Sequence, residues 1–136
     1  MTPRCIIVDD NPAVLRAARR LLEAQGIRVV GVATTGEEAL SLRDELEPDV
    51  MLVDIDLGPE SGLELARRLQ PASTSVILIS THHEADYASL IAASPAVGFL
   101  PKSELSAAAI CRLLALTCRE RCYCVPRKAT TASTRR

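Results

Sequence analysis

The sequence has no tryptophan, one phenylalanine and two tyrosines. Any core built from it must therefore be aliphatic, packed from Val, Ile, Leu and Ala. No uncharged apolar run approaches the ~20 residues that a membrane span needs. The first apolar stretch, Cys5-Ile6-Ile7-Val8, meets acid at Asp9. That is too short for the core of a secretory signal. Both absences point to a cytoplasmic protein. Paired CxxC motifs are missing too, although there are five cysteines: Cys5, Cys111, Cys118, Cys122 and Cys124. An odd count without a secretory signal argues against a disulfide framework. Cys111, Cys118 and Cys122 fall on one face of a helix by spacing. They read as a small apolar stripe rather than a metal or redox site. No internal repeat is present.

The 136 residues suit one domain. A chain of this size can bury roughly two-thirds of its unfolded surface without a disulfide or metal staple. Charge is unevenly spread. Residues 1–118 carry 10 basic and 16 acidic side chains, and residues 119–136 carry six basic and one acidic. An acidic body is a poor nucleic-acid binder, because duplex affinity comes largely from cations placed on phosphates. We divide the chain into a folded unit over 1–121 and a basic tail over 122–136, expected to be disordered.

Five short apolar runs alternate with helical patterns. The runs are Cys5–Val8, Ile27–Ala33, Val50–Val53, Val76–Ile79 and Val97–Leu100. Helices are expected over Ala13–Gln25 (ended by Gly26), from Thr35 to about Leu46, over Ser61–Leu69, over Glu84–Ala93, and from a Ser103 cap to about Arg121. Thr35 with Glu38 three residues on forms a capping box. Strands apolar throughout are buried on both faces, and strand–helix alternation implies a parallel sheet with right-handed crossovers. The fold class is therefore α/β, a doubly wound five-stranded parallel sheet. In such sheets ligands bind beyond the carboxyl ends of the strands. Four of the runs end there in Asp9-Asp10, Asp54, Ser80 and Lys102, so these groups are expected to converge.

Carboxylates brought together repel one another, and a hard cation is the usual resolution. Mg²⁺ prefers oxygen ligands, few of them from protein. Asp10 and Asp54 fit as direct ligands, Asp9 through water, and the Asp56 backbone carbonyl as a further one. A carboxylate can also attack phosphorus. Phosphoryl transfer then needs positioning and charge cancellation on the equatorial oxygens. Lys102 can take one oxygen and the Ser80 hydroxyl another.

With these residues in order, the chain resembles a two-component response-regulator receiver domain over residues 4 to about 118. The family's acidic pair is matched by Asp9-Asp10, and its phosphoacceptor by Asp54 in Leu52-Val53-Asp54-Ile55-Asp56. Its Ser/Thr is matched by Ser80 in Ile79-Ser80-Thr81. Its aromatic and Lys are matched by Phe99 and Lys102 in Gly98-Phe99-Leu100-Pro101-Lys102. The segment from Gly98 to Leu105 is similar to the NarL/FixJ-type branch, usually fused to a helix-turn-helix output domain. The resemblance implies a flavodoxin-like (βα)5 fold with strand order 2-1-3-4-5. It also implies Ser80 and Phe99 as a switch pair, and a phosphoryl donor that is a sensor histidine kinase or histidine phosphotransfer protein. His82, two residues past Ser80, stands where receivers tune dephosphorylation; His82 and His83 read otherwise as surface groups. The chain departs from the pattern in having Gly58-Pro59 after the acceptor, Ser103 after the Lys, and Ser94-Pro95 before the fifth strand.

We expect a single-domain regulator, with no catalysis beyond its own phosphorylation and dephosphorylation. Its output would pass by protein contact through the face of the fourth helix, fifth strand and fifth helix, to a second copy or another regulator, and not to DNA or membrane. Leu116–Arg121 is similar to the opening of a helix-turn-helix domain, but it falls where the last receiver helix belongs. Two other functions share part of this pattern. A pseudo-receiver would bind partners without phosphorylation, and the full set of site residues argues against it. A haloacid-dehalogenase-type phosphatase also has the Asp54-x-Asp56 pattern. It needs an acidic pair after the Lys, where this chain has only Glu104 and Glu120.

Overall fold

The computed structural model of the chain describes residues 2–69, 74–81 and 88–121. Five strands form one parallel sheet: β1 Arg4–Val8, β2 Arg28–Ala33, β3 Val50–Asp54, β4 Ser75–Ser80 and β5 Gly98–Pro101. Their order is β2-β1-β3-β4-β5. This is the doubly wound arrangement expected from the apolar runs, with the sheet order reversing at β1 and β3. The helices are α1 Pro12–Ala24, α2 Gly36–Leu46, α3 Gly62–Arg68, α4 Ala88–Ala92 and α5 Ala107–Arg121. No described helix is long and apolar enough to cross a membrane.

Strand alternation sorts the apolar side chains into two layers. Cys5, Ile7, Val50, Leu52, Ile77 and Ile79 pack with Leu15 and Leu22 of α1 and Ile110 and Leu114 of α5. Ile6, Val8, Met51, Val53, Val76 and Leu78 pack on the other face with Ala39 of α2 and Leu65 and Ala66 of α3. Phe99 belongs to this second layer and is buried. A strand covered on both sides needs apolar residues at every position, which is why the runs are continuous rather than alternating.

Local chemistry sets the helix ends. Asn11 caps α1 by accepting from Ala13 N–H at 2.9 Å, with Pro12 at the first helical position. Gly26 follows α1 at φ +94°, a backbone state that glycine takes without steric cost. Thr35 caps α2 by accepting from Glu38 N–H at 3.2 Å, while Glu38 accepts from Thr34 N–H at 2.8 Å. The returning bond thus goes to Thr34, one residue before the cap.

Two local expectations need correction. The last helix is not capped by Ser103. Lys102–Glu104 is a 3-10 turn, and α5 begins at Ala107. Ser106 Oγ accepts from Ala109 N–H at 3.0 Å, and Gln25 Oε1 accepts from Ala107 N–H at 2.6 Å. Leu105 is buried in the core between turn and helix, and this fixes the offset. The segment after β3 is also not a plain loop. Asp56–Leu57 and Glu60–Ser61 form a short antiparallel ladder around Gly58-Pro59. Gly58 sits at φ +72° there. The expected start of the fourth helix at Glu84, together with His82 and His83, lies outside the described residues, as does the 122–136 tail with Cys122 and Cys124.

Candidate phosphoacceptor site

Sheet register assembles the site. Val8 is paired with Val53, so Asp9 and Asp54 leave neighbouring strands side by side. Asp54 is paired with Ile79, one residue before Ser80. Ser80 is paired with Pro101, one residue before Lys102. Each polar residue thus follows an apolar run and lies one step beyond its neighbour's pairing. Ile55 N–H donates to the Ile79 carbonyl at 2.9 Å and Asp9 N–H to the Ala33 carbonyl at 3.0 Å, which anchors the exits of β3 and β1.

Lys102 Nζ donates to Asp9 Oδ2 at 2.6 Å and to Asp54 Oδ2 at 3.1 Å. Asp9 is 1% exposed and Asp54 5%. The remaining carboxylate oxygens are bonded as well: Asp9 Oδ1 accepts from Asn11 N–H at 2.9 Å and Asp54 Oδ1 from Asp56 N–H at 3.1 Å. Asp10 is exposed, and it completes a trio in which one carboxylate oxygen each from Asp9, Asp10 and Asp54 lies within 4.8 Å of the others. Three hard oxygen donors that close, opening to solvent at Asp10, suit a small divalent cation that keeps waters.

Burial raises the Asp54 carboxyl above its ordinary range and the Asp9 charge adds to this. The Asp56 N–H and Lys102 oppose them without cancelling them. Burial pulls the Lys102 ammonium down, but its bonds to Asp9 and Asp54 and their charges outweigh that and leave it raised. Among the described residues the site is short of cations: one ammonium serves two buried carboxylates.

The structure thus bonds Lys102 to Asp9 and Asp54 and brings Asp10 alongside them. Ser80 is buried at the same sheet edge. Asp56 is adjacent through its backbone, with its side chain outward. Phe99 points into the layer beneath α2 and α3 with no part in this hydrogen-bonded cluster. Of the cysteines, Cys5 is buried, where burial pushes its thiol up to about 12, and Cys111 is exposed. The Cys118 side chain lies outside the described residues.

Gly62, which keeps its expected place after the acceptor in the family pattern, has a structural reason to be glycine. Gly62 N–H donates to the Ile55 carbonyl at 2.7 Å, and a Cβ at Gly62 would collide with the Asp54 carbonyl. Glycine is required there by close backbone approach. The direct Lys102–Asp9 bond escapes the sequence reading, which gives Lys102 to phosphoryl oxygens alone. The order of opposite charges at strand ends was the available signal.

The response regulator receiver domain family matches residues 5–114. The chain is 33% identical over 103 residues to the response regulator GacA of Pseudomonas aeruginosa, covering 73% of this chain and 48% of that protein. It is 30% identical over 101 residues to the DNA-binding transcriptional activator EvgA of Escherichia coli, covering 73% and 50%. The chain spans about half the length of these curated relatives. Among solved structures it is similar to the signal receiver domain of the response regulator NarL from Mycobacterium tuberculosis. That match has TM-score 0.73 and 31% identity, covering 83% of this chain and 97% of that one. A LuxR-family two-component response regulator from Aurantimonas matches with TM-score 0.77 and 30% identity, covering 85% and 86%. With the family's match running from β1 into α5, this chain belongs to the response regulator receiver domains.

Proposed function

We propose that Asp54 accepts a phosphoryl group from a sensor histidine kinase or histidine phosphotransfer protein in a Mg²⁺-dependent reaction. The observation that carries this reading is Lys102 Nζ bonded to both Asp9 and Asp54, with Asp10 closing the acidic trio. Asp9, Asp10, Asp54 and the Asp56 backbone carbonyl would hold the cation. Bound there, Mg²⁺ would cancel charge on the phosphoryl oxygens.

In the reaction an Asp54 carboxylate oxygen attacks phosphorus, a new P–O bond forms, and the P–N bond to the donor imidazole breaks. Asp56 N–H holds the carboxylate in place through Oδ1. Lys102 moves its donated bond from Asp54 to a phosphoryl oxygen while remaining anchored on Asp9. The Ser80 hydroxyl donates to another phosphoryl oxygen. The phosphoryl group carries roughly −1.5 to −2 charge in place of the carboxylate's −1, and places it on three new acceptor oxygens. Ser80 and Phe99 then repack, and the face of α4, β5 and α5 changes shape, a two-state element biased by local charge. Self-association or docking of another regulator on that face would carry the output, by protein contact and not by DNA. The acidic body supports this. The protein would turn over no substrate besides its own acyl phosphate, and would act in the cytoplasm with its donor.

Acetyl phosphate with Mg²⁺, followed by intact mass, tests the reading. Wild type should gain one phosphoryl group, and Asp54→Asn or EDTA should abolish the gain. Equal labelling of Asp54→Asn, or labelling in EDTA, overturns it.

A further inference from the structure

The ladder after β3 is exposed at Asp56, Gly58, Pro59, Glu60 and Ser61, yet it borders the site on two sides. Asp56 N–H bonds the acceptor carboxylate. Gly58 lies against Asp10, such that a Cβ there would stand 3.0 Å from Asp10 Oδ2. Four anchors hold this segment. Two are local, Gly62 N–H on the Ile55 carbonyl and buried Leu57, and a third, Ile55 N–H on the Ile79 carbonyl, ties the exit of β3 to β4. The fourth is long-range: Glu60 Oε1 accepts from Gly36 N–H at 2.8 Å, across 24 residues, at the first residue of α2. Glu60 is paired with Leu57, and Ser61 with Asp56, so a pull on Glu60 is felt at both residues that border the acceptor loop.

The bond is costly to place by chance. The first turn of α2 already holds Glu37 and Glu38, so a third carboxylate arrives against like charge. The unsatisfied N–H groups of the helix start and its dipole favour an anion there. Gly36 leaves the room, because a Cβ at that position would approach Glu60 Oε1 to 2.5 Å.

We infer that Glu60 is a positioning residue for the Asp54 site: by capping α2 at Gly36 it fixes the Asp56–Ser61 ladder, and with it the Asp56 backbone and the approach of Gly58 to Asp10. The inference rests on the phosphoacceptor reading of the site. Glu60 touches neither Asp54 nor the phosphoryl group and acts through the ladder.

Three variants test it: Glu60→Ala, Glu60→Gln and Gly36→Ala. Readouts are the Mg²⁺ dissociation constant, the acetyl phosphate labelling rate split into its maximum and half-saturation, and the Gly36 amide shift by NMR where that glycine is retained. Outer partners of metal ligands commonly change affinity by 10–100-fold, and an exposed tether should give less, about three- to tenfold weaker Mg²⁺ binding in Glu60→Ala. Glu60→Gln keeps an acceptor oxygen and should stay near wild type. Gly36→Ala should imitate Glu60→Ala from the other side of the bond, although alanine favours the helix. The double variant should then be no worse than either single one, since both remove one interaction. Unchanged Mg²⁺ affinity and labelling in Glu60→Ala, with the Gly36 amide shifted, overturns the inference. Additive losses in the double variant do so too. If wild type takes no phosphoryl group, the phosphoacceptor reading fails, and the Mg²⁺ and amide readouts still decide the tether.

Discussion

Lys102→Ala removes the ammonium bonded to two carboxylates that are 1% and 5% exposed. Breaking a buried pair by deleting one partner typically costs 3–5 kcal/mol, because the other charge is left behind. The Lys102 side chain is 18% exposed and the site is open at Asp10, so water relieves part of the loss. The lower end applies, about 3 kcal/mol in EDTA. Mg²⁺ should restore most of it: saturation at ~100 times the dissociation constant contributes about 2.7 kcal/mol. In wild type the cation must compete with Lys102 for Asp9 and Asp54, so Mg²⁺ should stabilise the variant more than the wild type. The pH dependence has a definite sign. Without Lys102, Asp54 loses two influences that lower its pKa, while burial and Asp9 still raise it. The folded state then binds more protons than the unfolded, so stability rises as pH falls toward the unfolded carboxyl range, and the deficit narrows by at most ~1.4 kcal/mol per unit. Urea unfolding followed by far-UV circular dichroism suits a chain without tryptophan. A loss under about 1 kcal/mol in EDTA, or a smaller Mg²⁺ gain than in wild type, would refute the charge argument.

Asp54→Asn should unfold at higher urea than wild type in EDTA at pH 7. The raised Asp54 pKa means that its ionised form costs stability above the unfolded carboxyl range, and the cost vanishes as pH falls below it. An unchanged or lower midpoint would show that Lys102 compensates fully. Gly62→Ala drives a Cβ into the Asp54 carbonyl, so it should cost about 3 kcal/mol and displace the acceptor. Normal thermal stability with normal acetyl phosphate labelling would contradict this. Ser106→Ala should cost about 1 kcal/mol through the α5 cap, and Ser103→Ala close to nothing, measured by urea midpoints.

The parallel sheet, and the placing of Asp9, Asp54, Ser80 and Lys102 at the carboxyl ends of its strands, are legible in the sequence. Val50–Val53 is apolar at every position and ends in acid, so it reads as a two-face-buried strand that delivers a polar group at its carboxyl end. The same holds for Cys5–Val8 and Val76–Ile79. Such readings depend on residues a few positions apart, which is the range over which period and capping act. What the groups do to one another required tertiary structure. Lys102 and Asp9 are 93 residues apart, and the β1–β3, β3–β4 and β4–β5 registers together bring them to 2.6 Å. Ser103 and Ser106 are equally good caps by type. The choice fell to Ser106 because Lys102 is held by the site and Leu105 by the core, and together they impose a 3-10 turn before α5 can start. Glu60 carries no signal that separates it from a solvated acid. Its partner is an amide on another helix, supplied by packing between elements that no local pattern encodes.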